Sequence, residues 1–175
     1  MKKILIAGAG GQGIVSLGKI IAYSAMNEGL NVSCIPSYGP EMRGGTANCF
    51  VVYDNQEIKS PVFDNANILV AMNQCSLDKY QSRVFPEGYI IMDSNIDFID
   101  DSSQQKQIMR LPVSDTAKKA GDSKSQNMVI LGVLSKLFKD FSLNDVIDSV
   151  KKLFKEKQEV IATSIKALRL GFKLV

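Results

Sequence analysis

The chain contains no histidine. That absence excludes the Ser-His-Asp triad, the Cys-His dyad and the HExxH zinc site. Acid–base work would fall to Asp, Glu, Lys or Tyr. The sequence is poorly stocked for hydrolysis or metal catalysis, and no residue is assigned a catalytic or metal-binding role. Cysteine is scarce as well. Cys34, Cys49 and Cys75 are the only three, and they form neither a CxxC pair nor a ferredoxin-type run. That argues against an iron–sulfur cluster held by this chain alone. A scattered odd count fits reduced thiols and a cytoplasmic location. Each cysteine is expected in or near the core, where a free thiol behaves as a small hydrophobe. The methionines Met26, Met42, Met72, Met92, Met109 and Met128 are read as core filling in the same way.

Charge of one sign is lacking too. Against 21 basic residues stand 18 acidic ones, a net +3, with no dense Lys/Arg cluster. Nucleic acid and a membrane surface are therefore not expected partners. No apolar run approaches the ~18–20 residues that span a bilayer. The start "MKKILIAGAGG" loses its apolar character after Ala7 and reads as a buried strand running into a glycine turn, not as a leader.

What is present is ordinary for a globular protein: 45% hydrophobic and 22% charged residues. A length of 175 residues suits one domain, residues 1–175. "KKILIAG", "NVSCIPS", "TANCFVVYD", "NILVAMN", "GYIIMDSN" and "QIMRLPV" read as six strands. "EIKSPVF", after a turn at Asn55 and Gln56, is expected to return antiparallel to "TANCFVVYD". Helices are expected after the first glycine turn, at "CSLDKYQSRV" and through most of the chain beyond Ser114. Gly29 is a natural stop for the first helix, and Ser142 with Asp145 stands at capping-box spacing. The first helix with "NVSCIPS" closes a βαβ unit. The alternation predicts an α/β fold: three layers, α/β/α, around a mostly parallel but mixed sheet with a Rossmann-like start.

Two loops carry the functional signal. Gly8, Gly10 and Gly13 fit G-x-G-x-x-G between a strand and a helix, where the helix N-terminus offers free N–H donors to an anion. A nicotinamide site also wants a carboxylate at the end of the second strand. Here that strand ends Cys34-Ile35-Pro36-Ser37, and no acid follows before Glu41. Phosphate contact and plain strand–helix packing both remain open, and nicotinamide binding is disfavoured. The second loop, "SYGPEMRGGTAN", is stiffened by Pro40 and carries Gly39, Gly44 and Gly45 for close backbone approach. Its Arg43 suits a carboxylate or phosphate, or pairs with Glu41 within the loop. Loops after parallel strands open on one sheet edge. That edge gathers Gly10–Gly13, Ser37–Gly45, Asn73-Gln74 and Asp93–Asn95. Asn73 and Gln74 either read a ligand or partner or cap strand ends. Asn127 is read as a helix anchor or a partner contact.

Taken together and in order, "GAGGQG", "SYGPEMRGGTAN", Ser60-Pro61, "ILVAMNQ" and "NMVILG" resemble the gamma subunit of the 2-oxoacid:ferredoxin oxidoreductases over about the whole chain. The loop is more similar to the 2-oxoglutarate and branched-chain 2-oxoacid types than to the pyruvate enzymes. The resemblance implies a part in an assembly that converts a 2-oxoacid and coenzyme A to acyl-CoA and carbon dioxide and passes electrons to ferredoxin. It implies thiamine diphosphate, Mg and iron–sulfur clusters in the alpha and beta subunits (and a delta subunit where present), none in this chain, and coenzyme A as co-substrate. It singles out Gly10, Gly11, Gln12, Gly13, Ser37, Tyr38, Gly39, Pro40, Glu41, Arg43, Gly44 and Gly45 as ligand or partner contacts, and the chain alone as inactive. An uncovered docking patch would let the isolated chain form a homodimer. Two rivals are a self-contained nucleotide-binding oxidoreductase using the Gly8–Gly13 turn and a scaffold module outside any redox enzyme.

Overall fold

The computed structural model describes residues 1–39, 45–98 and 105–175. Six strands, β1 (Lys2–Ala9), β2 (Asn31–Tyr38), β3 (Thr46–Asp54), β4 (Ala66–Ala71), β5 (Val84–Asp93) and β6 (Gln107–Leu111), form one sheet in the order β2-β3-β1-β4-β5-β6. β1, β4, β5 and β6 run parallel, while β3 is antiparallel to both its neighbours. The helices are α1 (Ile14–Asn27), α2 (Gln74–Tyr80), α3 (Val113–Ala120), α4 (Gln126–Phe138), α5 (Leu143–Leu153) and α6 (Gln158–Phe172).

The sheet is mixed, as expected, but its hairpin is a different one. β3 pairs with β2 across residues 39–45, and the segment "EIKSPVF" forms no strand. The reason is burial. β3 is covered on both faces and bonded on both edges, by β2 and β1. No ladder position is left for residues 57–63. The chain instead crosses the sheet face and seats Phe63 edge-on against Phe50, centroids 5.1 Å apart. The expected β1-α1-β2 unit is present, with β3 inserted between its two strands. β2 is parallel to β1 but is separated from it by a whole strand.

Alternation in the strands divides the core in two. Ile4 and Ile6 point to one face with Cys49, Val51, Ile68 and Val70, and α1, α3, α4, α5 and α6 pack there. Leu5 and Ala7 point to the other face with Phe50, Val52, Leu69 and Met92, covered by Leu77 and Tyr80 of α2, Phe63 and Ile96. Each fully buried Ile or Leu contributes roughly 2–3 kcal/mol of transfer free energy. The expected three layers are therefore unequal: among the described residues one short α-helix serves the second face. Met72, Met92 and Met128 are buried, but Met26 is 57% exposed, and Cys75 lies exposed on α2. Both correct the expected core placement, because each falls on the outer side of its amphipathic helix.

Two expected helix signals hold. Ser142 accepts from the Asp145 amide while the Asp145 carboxylate accepts from the Ser142 amide, a complete capping box on α5. Gly29 follows α1 at φ 75. α4 and α6 cross closely through glycine: a Cβ on Gly132 would stand 2.0 Å from the Leu168 carbonyl oxygen, and one on Gly171 2.0 Å from that of Val129.

Candidate functional site

All parallel strands end on one sheet edge, so the turn after β1, the end of β2 and the loops after β4 and β5 converge there. β1 leads through Gly10–Gly13 into α1. Gly13 is the N-cap residue at φ 73, a backbone state that glycine adopts without strain. Among the described residues no side chain caps α1, and its first turn holds no acid. The leading amides of the helix therefore face the opening with the positive end of the helix dipole.

Gln12 holds this turn from within. Its Oε1 accepts from the Ala9 amide at 2.7 Å and from Asn73 Nδ2 at 3.3 Å. Its Nε2 donates to the Met72 carbonyl at 2.9 Å. Asn73 also caps α2, accepting from the Ser76 amide at 2.9 Å. Gln74 exchanges two hydrogen bonds with the backbone of Asp97 and donates to Asp78. Asn127, at the start of α4, donates to the Gly13 carbonyl at 3.3 Å. Asp93 is buried and accepts from the amides of Asn95 and Ser114, the latter in the first turn of α3. The side chains of Gln12, Asn73, Gln74 and Asn127 are thus engaged inside the chain. These bonds brace the loops that meet at the sheet edge.

The second loop meets the first through backbone. The Gly10 amide donates to the Gly45 carbonyl at 2.9 Å, and the Gly39 amide to the Thr46 carbonyl at 2.7 Å. Ser37 and Tyr38 are exposed at the end of β2, Tyr38 by 66%. Pro40, Glu41, Met42, Arg43 and Gly44 lie outside the described residues. Two clefts flank the glycine turn. One of about 240 Å³ is lined by Ala9, Gly10, Gly11, Gly13, the first turn of α1, Tyr38 and Ala47. The other, about 160 Å³, is lined by Gly11, Gln12, Met72, Ser123, Lys124 and Gln126. Ser123, Lys124 and Gln126 escaped the sequence reading. More than a hundred residues separate them from Gly11, and only the packing of α4 beside α1 brings them to it.

The three thiols do not assemble. Cys34 and Cys49 lie together on the α1 side of the sheet, and Cys75 stands on α2 across it. Among the described residues no cluster of three or more His, Cys, Asp or Glu is arranged to hold a metal ion, and no helix is long and apolar enough to cross a membrane.

These features define an α/β chain with an uncapped glycine turn, an exposed aromatic beside it and braced strand-edge loops, a surface suited to contact. The family model for pyruvate ferredoxin/flavodoxin oxidoreductase matches residues 3–174, and the chain belongs to that family. The ketoisovalerate oxidoreductase subunit VorA of Methanothermobacter thermautotrophicus is 35% identical over 170 residues, which cover 97% of this chain and 35% of that protein. A 2-oxoglutarate:ferredoxin oxidoreductase from Magnetococcus marinus, solved with 2-oxoglutarate, coenzyme A and succinyl-CoA bound, has a TM-score of 0.89 at 30% identity. The match covers 99% of this chain and 30% of that one. The gamma subunit of a keto/oxoacid ferredoxin oxidoreductase from Geobacter sulfurreducens gives a TM-score of 0.83 at 26% identity, covering 99% and 97%. The chain therefore spans about a third of VorA and of the Magnetococcus chain, and nearly all of the Geobacter gamma subunit.

Proposed function

We propose that this chain is the gamma-type subunit of a 2-oxoacid:ferredoxin oxidoreductase of the 2-oxoglutarate or branched-chain type, working in the cytoplasm as one domain. The assembly oxidatively decarboxylates a 2-oxoacid with coenzyme A, yielding acyl-CoA and carbon dioxide, and passes the electrons to ferredoxin. Thiamine diphosphate, Mg and the iron–sulfur clusters belong to the alpha and beta subunits, with a delta subunit where the assembly has one. This chain docks on those subunits and shapes the approach of coenzyme A. Alone it is inactive and forms a homodimer through the uncovered docking face.

The observation that carries this reading is the division of labour at the glycine turn. Gln12, Asn73 and Gln74 are engaged in bracing, while the uncapped start of α1, Tyr38 and the cleft beside Lys124 face outward. An uncapped helix start next to a lysine fits phosphate oxygens. Gly10, Gly11, Gly13, Ser37, Gly39 and Gly45 give backbone access, and Arg43, with Pro40, Glu41 and Gly44 around it, adds a charge on the same loop. The self-contained nucleotide enzyme is the weaker reading. β3 stands between β1 and β2, so the end of β2 lies a strand further from the glycine turn than in a dinucleotide site, and it carries no carboxylate.

The test is an anaerobic pull-down of the chain from its native cells, with the eluate assayed for 2-oxoacid- and coenzyme A-dependent reduction of a viologen dye. Larger subunits and activity are expected together. 2-Oxoglutarate, 2-oxoisovalerate and pyruvate then decide the substrate. A chain that comes down alone carrying a nucleotide overturns the reading. In intact assemblies Arg43→Ala is expected to raise the KM for coenzyme A about tenfold, the loss of one charge-assisted hydrogen bond. An unchanged KM removes Arg43 from the coenzyme site.

A further inference from the structure

We propose that Cys34 and Cys49 are a redox-convertible pair whose disulfide clamps the two stems of the 39–45 loop. The Sγ atoms stand 3.5 Å apart. Cys34 faces Val51 and Cys49 faces Pro36 in the β2–β3 ladder, so the thiols meet on a diagonal between neighbouring strands. Cys34 is half-buried and Cys49 fully buried. α1 passes over them at Gly18, where a Cβ would stand 2.5 Å from Cys49 Sγ and 3.4 Å from Cys34 Sγ. The missing side chain on the helix leaves room for both sulfurs. Shape alone does not require two thiols there, since small apolar side chains of similar volume fill such a space as well.

Closing the bond asks for a movement of about 1.5 Å, from the observed gap to a normal S–S length of ~2.05 Å. Among the described residues β2 is the edge strand and is bonded on one side only, so it can shift without breaking a second ladder. Diagonal pairs on neighbouring strands generally stand roughly 7–8 Å apart, beyond the spacing disulfides prefer, so such a bond is expected to be strained and readily reduced. The roles within the pair are unequal. The hydrogen bond from Cys49, aided by the Lys19 ammonium and opposed by burial, holds the Cys34 thiol below its ordinary value. The same hydrogen bond and burial push Cys49 up. Cys34, the more exposed and more acidic, reacts first.

With a hydroperoxide as oxidant the step balances. The Cys34 thiolate attacks one peroxide oxygen, the O–O bond breaks, and Cys34 becomes a sulfenic acid as hydroxide leaves. Cys49 sulfur then attacks Cys34 sulfur, the S–O bond breaks and the S–S bond forms. The Cys49 proton leaves with the departing oxygen as water. Two thiols and one hydrogen peroxide give one disulfide and two waters. The bond lies four residues before Tyr38 and three after Thr46, and it ties together the strand ends that present the loop.

The inference stands apart from the proposed function and is tested on the chain itself. The Cys75→Ser chain is purified anaerobically, dosed with hydrogen peroxide, alkylated with a maleimide in denaturant and mapped by mass spectrometry. Free thiols are expected to fall from two to none, with a peptide linking residues 34 and 49 two hydrogen masses lighter, and dithiothreitol restoring both. Adding Cys34→Ser is expected to leave Cys49 unoxidised at the same dose. Two thiols that persist, a sulfinic acid at Cys34 beside a free Cys49, or a disulfide between chains each overturn the assignment. The peptide map of the Cys75→Ser chain decides it even where the Cys34→Ser chain does not fold.

Discussion

The Gln12 side-chain amide donates to the Met72 carbonyl at 2.9 Å, fastening the turn after β1 to the end of β4. Its oxygen is held in turn by the amide of Ala9. One side chain thus sets the glycine turn relative to the loop that begins at Asn73. Gln12→Ala leaves the Ala9 amide and the Met72 carbonyl unpaired and is expected to cost about 2 kcal/mol. Gln12→Glu keeps the acceptor but sets a carboxylate oxygen against a carbonyl, and is expected to cost at least as much. Urea unfolding of the isolated chain measures both, and wild-type stability in either variant removes the bracing role.

Gly13 is confined twice over. Its φ of 73 lies in the left-handed region, and a Cβ would fall 2.2 Å from Asn127 Nδ2. Gly13→Ala is expected to cost about 1–2 kcal/mol for the backbone alone and more for the collision. In a Gly13→Ala, Asn127→Ala double-mutant cycle the collision should vanish and the backbone cost remain. Strict additivity would show that the two residues do not contend for the same space.

The α4–α6 crossing depends on two hydrogens where other residues carry methyl groups. Gly132→Ala would drive a Cβ to 2.0 Å from the Leu168 carbonyl oxygen, and backbone cannot swing aside as a side chain can. The expected loss is about 3 kcal/mol, with a broadened thermal transition as α6 loosens. A variant as stable as wild type would mean the helices have other ways to separate.

Tyr53 gives the fold a dependence on high pH. Its hydroxyl donates to Asp140 at 2.6 Å. Burial, with the Asp140 hydrogen bond and charge adding to it, holds the phenol well above its ordinary value. Below pH ~10 both folded and unfolded states keep the proton, and the contribution is fully present. Above that, the unfolded state releases it and the folded state does not, so stability falls by about 1.4 kcal/mol per pH unit. Tyr53→Phe is expected to be about 1 kcal/mol less stable near neutrality and to lose this part of the alkaline slope. Parallel stability curves from pH 9 to 11 would contradict it.

Much of the fold is legible in the sequence because its signals are local. The glycine turn lies between an apolar run and a helical repeat, the Ser142–Asp145 box spans one helical turn, and Gly29 ends α1. Each is decided by residues within about four positions of one another. The candidate surface is legible for the same reason: loops after parallel strands share an edge, so naming the strands names the edge. The misplaced hairpin shows where this stops. "EIKSPVF" has the composition of a strand, but partner choice depends on which edges remain open. β3 had already closed both of its own against β2 and β1.

The sequence by itself determined the order of elements, the absence of histidine-based chemistry, the uncapped glycine turn and, through its ordered motifs, the family. Tertiary structure alone decided that β3 stands between β1 and β2, that Gln12 bonds to the Met72 carbonyl, and that Lys124 flanks Gly11. It also set Cys34 beside Cys49. The division has a physical cause. Periodicity and capping are satisfied by bonds within a few residues, whereas strand neighbours, cross-chain amides and thiol distances follow from how the whole apolar surface is buried at once.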